Sequence, residues 1–97
     1  MKQEEIATKV KEAVESDPNK KYIKNIFLFG SFLHGDTKPD SDIDLLFEMD
    51  KTLSLFQIIG TQDRLEKKLG RKVDFIEKDS LDKYIKQEVL AEAKKIY

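Results

Sequence analysis

The sequence predicts an α/β (α+β) fold in which a small mixed β-sheet of three or four strands carries helices packed against it. Two observations predict it. Stretches whose apolar residues recur every three to four positions alternate along the chain with short apolar runs of strand length. The 97 residues, 1–97, also match the size of a single domain built on one modest core, without repeats or low-complexity segments.

Each element follows from its pattern. Ile6, Val10, Ala13 and Val14 mark an amphipathic first helix that stops before Asp17-Pro18. Ile26-Phe27-Leu28-Phe29 reads as a buried strand that ends at Gly30 and Ser31, followed by a short helical turn and a polar loop through Pro39. A second strand runs from Ile43 to Glu48, with Ile43, Leu45 and Phe47 alternating with Asp44, Leu46 and Glu48. Ser54 and Gln57 form a capping-box pair for a helix whose predicted apolar face is Leu55, Ile58, Ile59, Leu65 and Leu69, with Gly70 as its stop. Lys72-Val73-Asp74-Phe75-Ile76 reads as a third strand. Ser80 is predicted to cap a closing helix that presents Leu81, Ile85, Val89, Ala93 and Ile96 on one face and runs to the C-terminus. These stripes read as core.

Composition narrows the functional classes. A formal net charge of −1 gives no basic field of the kind that nonspecific nucleic-acid binding needs, so direct nucleic-acid binding is disfavoured. The chain has no cysteine, which removes disulfides and thiolate metal sites and fits a reducing cytoplasm. The N-terminus lacks the apolar core of a signal peptide, and no apolar run approaches a membrane span; the expected location is cytoplasmic.

The chemistry is concentrated in Gly30-Ser31 and, after ten intervening residues, Asp42-Ile43-Asp44. A turn at a strand end is where α/β sheets place ligands. Side chains two apart on a strand share a face, so Asp42 and Asp44 point the same way. Two carboxylates held so close repel unless a cation lies between them, and hard oxygens suit Mg²⁺ or Mn²⁺. If the third strand lies beside the second, Asp74 completes a three-carboxylate set able to hold two ions roughly 3.5 to 4 Å apart, or serves as a general base. The segment from Asp40 fails as an EF-hand, because Leu45 stands where glycine is required and Lys51 where a bidentate glutamate belongs. There is no P-loop and no Gly-x-Gly-x-x-Gly.

Three stretches carry a family resemblance: Leu28-Phe29-Gly30-Ser31-Phe32-Leu33-His34-Gly35, Pro39-Asp40-Ser41-Asp42-Ile43-Asp44-Leu45-Leu46, and Leu69-Gly70-Arg71-Lys72-Val73-Asp74. From about Ile23 to the C-terminus the chain resembles nucleotidyltransferases of the DNA polymerase β type. It is most similar to their minimal branch, the MNT antitoxins encoded beside HEPN-domain toxins. The resemblance implies that Gly30 and Ser31 bind nucleotide phosphates, that Asp42 and Asp44 bind nucleotide and metal, and that Asp74 is the third ligand or base. It also implies ATP as substrate, Mg²⁺ or Mn²⁺ as cofactor, and transfer of AMP to a tyrosine of a HEPN ribonuclease toxin bound in a hetero-oligomer. Many relatives have arginine where this chain has His34, a shorter and mostly neutral side chain.

Two other functions compete with that expectation. One is a non-catalytic antitoxin that neutralises its partner by occlusion; the other is a small-molecule nucleotidyltransferase of the aminoglycoside-modifying kind. A 97-residue chain has no room for a second, acceptor-binding domain, so a partner is expected to supply the acceptor or part of the wall around it.

Overall fold

A computed structural model describes residues 1–35, 38 and 40–97. Asp36, Thr37 and Pro39, in the polar loop read above as running through Pro39, lie outside the described residues. The first helix, α1 (Gln3–Glu15), buries Ile6, Val10 and Val14 completely, one residue per turn along one stripe. It ends before Pro18, as the pre-proline restriction requires. A one-turn 3₁₀ helix then leads into β1 (Ile23–Phe29).

The short α2 (Ser31–His34) follows Gly30. Next come β2 (Ile43–Met49), α3 (Leu55–Leu69), β3 (Val73–Glu77), α4 (Lys83–Glu92) and a two-residue β4 (Lys94–Lys95). The sheet order is β3-β2-β1-β4. β1 runs antiparallel to β2 and to β4, whereas β2 and β3 are parallel and joined through α3, as a parallel connection needs. The mixed sheet expected from the sequence is therefore present.

Alternate residues assign the two faces. Ile26, Leu28, Ile43, Leu45, Phe47, Val73 and Phe75 join the apolar stripes of α1 and α3 in one core. Within it the rings of Phe47 and Phe75 stack, with centroids 4.0 Å apart. Removing residues of this size from water contributes about 2 kcal/mol each, so this face supplies most of the driving force for folding. The residues between them, Phe27, Phe29, Asp44, Leu46, Glu48, Asp74 and Ile76, point to the opposite face, which carries the acids.

Three local expectations are corrected. The α3 stripe that is buried consists of Thr61, Leu65 and Leu69 with Ile58 partly covered, while Leu55 and Ile59 are 71% and 43% exposed. A 15-residue helix is about 22 Å long and the five-residue β3 only about 16 Å, so the first turn of α3 overhangs the sheet. Its ends are as expected: Ser54 Oγ accepts from the Gln57 N–H, and Gly70 closes the helix at φ 69°.

The closing helix begins and ends elsewhere than expected. Asp82, not Ser80, caps α4 by accepting from the Tyr84 N–H at 2.9 Å; the Ser80 hydroxyl instead donates to the Glu77 carbonyl in a 3₁₀ turn. At Ala93 the backbone becomes extended, because a sheet edge is available: Lys94 and Lys95 pair with Leu28 and Phe27, and Ile96 and Tyr97 exchange backbone hydrogen bonds with Ile26. Ile96 and Tyr97 pack against the core from this strand-like tail and not from a helix. No residue of α4 is buried, and Ile85 is 51% exposed.

A polar knot joins α3 to the turn after α1. The Asp17 side chain, 2% exposed, accepts from the Asn19 N–H, the Thr61 hydroxyl and the Arg64 guanidinium. The Asn19 amide in turn donates to Thr61 Oγ1 and to the Gln57 carbonyl. Among the described residues, no buried side-chain polar atom lacks a partner.

Candidate active site

The candidate site lies where β1 ends and β2 and β3 begin. Gly30 leaves β1 at φ 77° and ψ −151°, a conformation open in practice only to glycine. A Cβ at this position would overlap Asp44 Oδ2 and lie 2.9 Å from its Cγ. The glycine thus serves the carboxylate directly: its missing side chain is the space that Asp44 fills. Ser31 then opens α2, whose first turn is tied by the Leu33 and His34 N–H groups donating to the Gly30 carbonyl.

Register places the acids. Asp44 pairs with Phe29 of β1 on one side and with Asp74 of the parallel β3 on the other. Asp42 stands one residue ahead of β2, near enough for its charge to act on Asp44. Burial first, then a hydrogen bond shared with Asp74, then the charges of Asp74 and Asp42 push the Asp44 carboxyl up to about 6. Its environment favours the protonated form.

The strand that brings Asp74 is held by α3. As an edge strand, β3 has outward-facing N–H groups, and Glu66 accepts from Val73 at 2.9 Å while Gln62 accepts from Phe75 at 3.3 Å. Neither role is visible in the sequence, because each acceptor lies seven or more residues from its donor.

The donor set suits a hard divalent cation in its chemistry: hard oxygens, closely spaced charge and a carboxyl pair destabilised by its own repulsion. Among the described residues, no three carboxylate, imidazole or thiol groups converge tightly enough to hold a metal ion unaided. Asp44 and Asp74 form the close pair, and Asp42 acts on Asp44 through its charge. Remaining ligands would come from water or from a substrate's phosphates, the usual manner of Mg²⁺.

His34 turns toward α4, its Nε2 2.9 Å from Glu92 Oε2. Beside this pair a cleft of about 250 Å³ opens from Gly30, lined by Phe29, Leu33, His34, Val89 and Glu92 among others. Lys38 is exposed. Of the two tyrosines at the end of the chain, Tyr97 packs against the core and Tyr84 is 74% exposed. Among the described residues no helix is long and apolar enough to cross a membrane.

Comparison with known proteins gives the family and the fold. The polymerase beta nucleotidyltransferase family matches residues 8–97. The protein adenylyltransferase MntA of Thermococcus cleftensis is 39% identical over 70 residues, spanning 72% of this chain and 71% of that one. Among solved structures, a toxin–antitoxin crystal structure with AMP-PNP superimposes with a TM-score of 0.81 at 24% identity, covering 94% of this chain and 72% of the other. A tri-AMPylated Shewanella oneidensis HEPN toxin in complex with MNT antitoxin gives 0.75 at 22% identity, covering 98% and 71%. At these identities the structural matches speak to the fold, whereas the family match and the MntA relative speak to descent. The chain belongs to the polymerase β nucleotidyltransferase family, within its protein adenylyltransferase group.

Proposed function

We propose that this chain is an antitoxin that transfers AMP from ATP to a tyrosine of a HEPN-domain toxin in a Mg²⁺- or Mn²⁺-dependent reaction. The observation that carries the proposal is Asp44, set against Gly30 on one strand and Asp74 on the next, so that the phosphate turn and the acids share one end of the sheet. Support for the partner comes from the structural neighbours, one of which is a tri-AMPylated HEPN toxin in complex with MNT antitoxin.

In this reading Gly30 leaves the backbone bare beside the phosphates, and the Ser31 hydroxyl donates a hydrogen bond to them. Asp42, Asp44 and Asp74 would hold the divalent cation, which when bound supplies positive charge for the phosphates and alignment for in-line displacement. The tyrosine oxygen attacks the α-phosphorus. The bond from that phosphorus to the α–β bridging oxygen breaks, pyrophosphate leaves with the electron pair, and the phenolic proton passes to Asp74 acting as base.

The test is the intact mass of the cognate HEPN protein after incubation with this chain, ATP and Mg²⁺, beside an Asp42→Asn/Asp44→Asn control. A gain of one or more AMP units that the control lacks is the expected result. An unmodified partner neutralised equally well by the double variant would replace this reading with occlusion by binding.

A further inference from the structure

The two halves of the site sit on different elements, and only part of their alignment comes from the sheet. The ladder fixes Asp44 and Asp74, because each lies within paired strands. Asp42 does not: it precedes β2, at the end of a turn closed by the Ser41 N–H donating to the Lys38 carbonyl and the Lys38 N–H donating to Ser41 Oγ. Ser31 likewise lies beyond the end of β1, on a helix of only four residues.

One side chain touches the chain neighbour of each. Arg71 Nη1 donates to the Ser41 carbonyl at 3.4 Å, a long hydrogen bond, next to Asp42 in the chain. The same guanidinium lies 5.2 Å from the ring centroid of Phe32, which follows Ser31 and is 5% exposed. Its own position is anchored, since the neighbouring Lys72 carbonyl accepts from the Ile43 N–H at 2.9 Å where β2 and β3 begin. Arg71 therefore reaches from the turn that leads into the Asp74 strand to the segments that carry Ser31 and Asp42. The guanidinium thus makes two contacts of different kinds, a hydrogen bond to the carbonyl and a cation–π contact with the ring.

We propose that Arg71 is a positioning residue that sets Asp42 against Ser31 and thereby the spacing between metal and phosphate groups. It acts through Ser41 and Phe32 and not by contact with the nucleotide. The inference rests on the proposed transferase reading for its kinetic consequence, but its effect on cation binding can be measured without any transfer.

The experiment compares wild type, Arg71→Ala and Arg71→Lys by Mn²⁺ titration and by steady-state AMP transfer. In Arg71→Ala, Mn²⁺ affinity is expected to fall about tenfold, the usual effect of losing a group that orients a ligand. Its kcat is expected to fall about 10²-fold with KM for ATP nearly unchanged, as a misplacement near 1 Å would produce. Arg71→Lys should recover little, because an ammonium has no planar fork and no flat face.

Wild-type Mn²⁺ affinity and kcat in Arg71→Ala would overturn the proposal. So would a raised KM with unchanged kcat, which would put Arg71 on the phosphates, or full recovery by Arg71→Lys, which would reduce its role to charge. Should Arg71→Ala fail to fold, Arg71→Lys carries the test alone: wild-type behaviour in it overturns the proposal, and loss of both properties sustains it. If wild type itself transfers no AMP, the transferase reading fails, and Mn²⁺ affinity still decides the role of Arg71.

Discussion

Two aspartates in this molecule, Asp17 and Asp44, are both drawn out of water, and their surroundings treat them in opposite ways. Burial alone would raise the Asp17 carboxyl, but hydrogen bonds from Arg64, Asn19 and Thr61 together with the Arg64 charge outweigh it and hold the group below the usual carboxylate range. Around Asp44 the neighbours add to burial, because Asp74 and Asp42 are themselves acids, and the carboxyl is raised to about 6. Asp17 has found its cation within the fold, whereas the charges that act on Asp44 are those of other acids. A buried acid paired with a cation is structure; one crowded by other acids, set against a bare glycine at a strand end, is a candidate place for a positive ligand.

The sharpest way to break the comparison is at Gly30. Gly30→Ala puts a methyl group onto the Asp44 carboxylate and forces a side chain to φ 77°. We expect a stability loss of about 2 kcal/mol together with loss of nucleotidyl transfer. Denaturant unfolding and the mass assay check both. A fully active, equally stable Gly30→Ala would mean that Asp44 does not need this space.

The Asp17 side of the comparison is tested next. Asp17→Asn keeps the shape but removes the charge that Arg64 faces, and is expected to destabilise by about 1 to 3 kcal/mol while leaving transfer unchanged at temperatures where the variant is folded. Equal chemical denaturation curves would show the knot to be ornamental.

A smaller effect follows from pH. The folded pKa of Asp17 lies below its unfolded value, so its stabilisation is present above about pH 4 and is lost as pH falls through the folded value. The folded pKa of Asp44 lies above its unfolded value, so its protonated form favours the fold, and that contribution is lost as pH rises from about 4 through about 6. Metal-free protein should therefore be most stable between these limits and weaken toward pH 7 by about 1 kcal/mol, after allowance for solvent screening of a half-exposed site. Stability measured against pH in chelator would show the decline, and saturating Mg²⁺ should flatten it. A flat profile in chelator would contradict the account of Asp44.

What was legible in the sequence shared a common cause. The three main strands and the two long helices show their identity through periodicity, and Asp44 and Asp74 could be placed on strands from the same patterns. Ser54, Gln57 and Gly70 mark helix ends by local chemistry, so they too could be read directly.

The misses arise where a distant partner decides. Ala93 and Ile96 continue the helical spacing of α4, yet the backbone there turns extended because β1 offers an edge 65 or more residues earlier in the chain. Leu55 and Ile59 are apolar at helical spacing but lie beyond the end of the sheet. Asp17 and Arg64 are 47 residues apart, and Arg71 meets Ser41 across 30, so no local pattern announces either contact. Ser80 and Asp82 are both good caps; which one serves is set by where the chain leaves β3.

The most direct test of the central claim is thermal unfolding of wild type and Asp44→Asn at pH 7, each with chelator and with Mg²⁺. If Asp44 is a carboxylate held at the site against its own stability and satisfied by a cation, the variant in chelator will melt above wild type, and Mg²⁺ will raise the wild-type midpoint but not that of the variant. A variant that melts below wild type in chelator, or equal Mg²⁺ shifts in the two proteins, would contradict it.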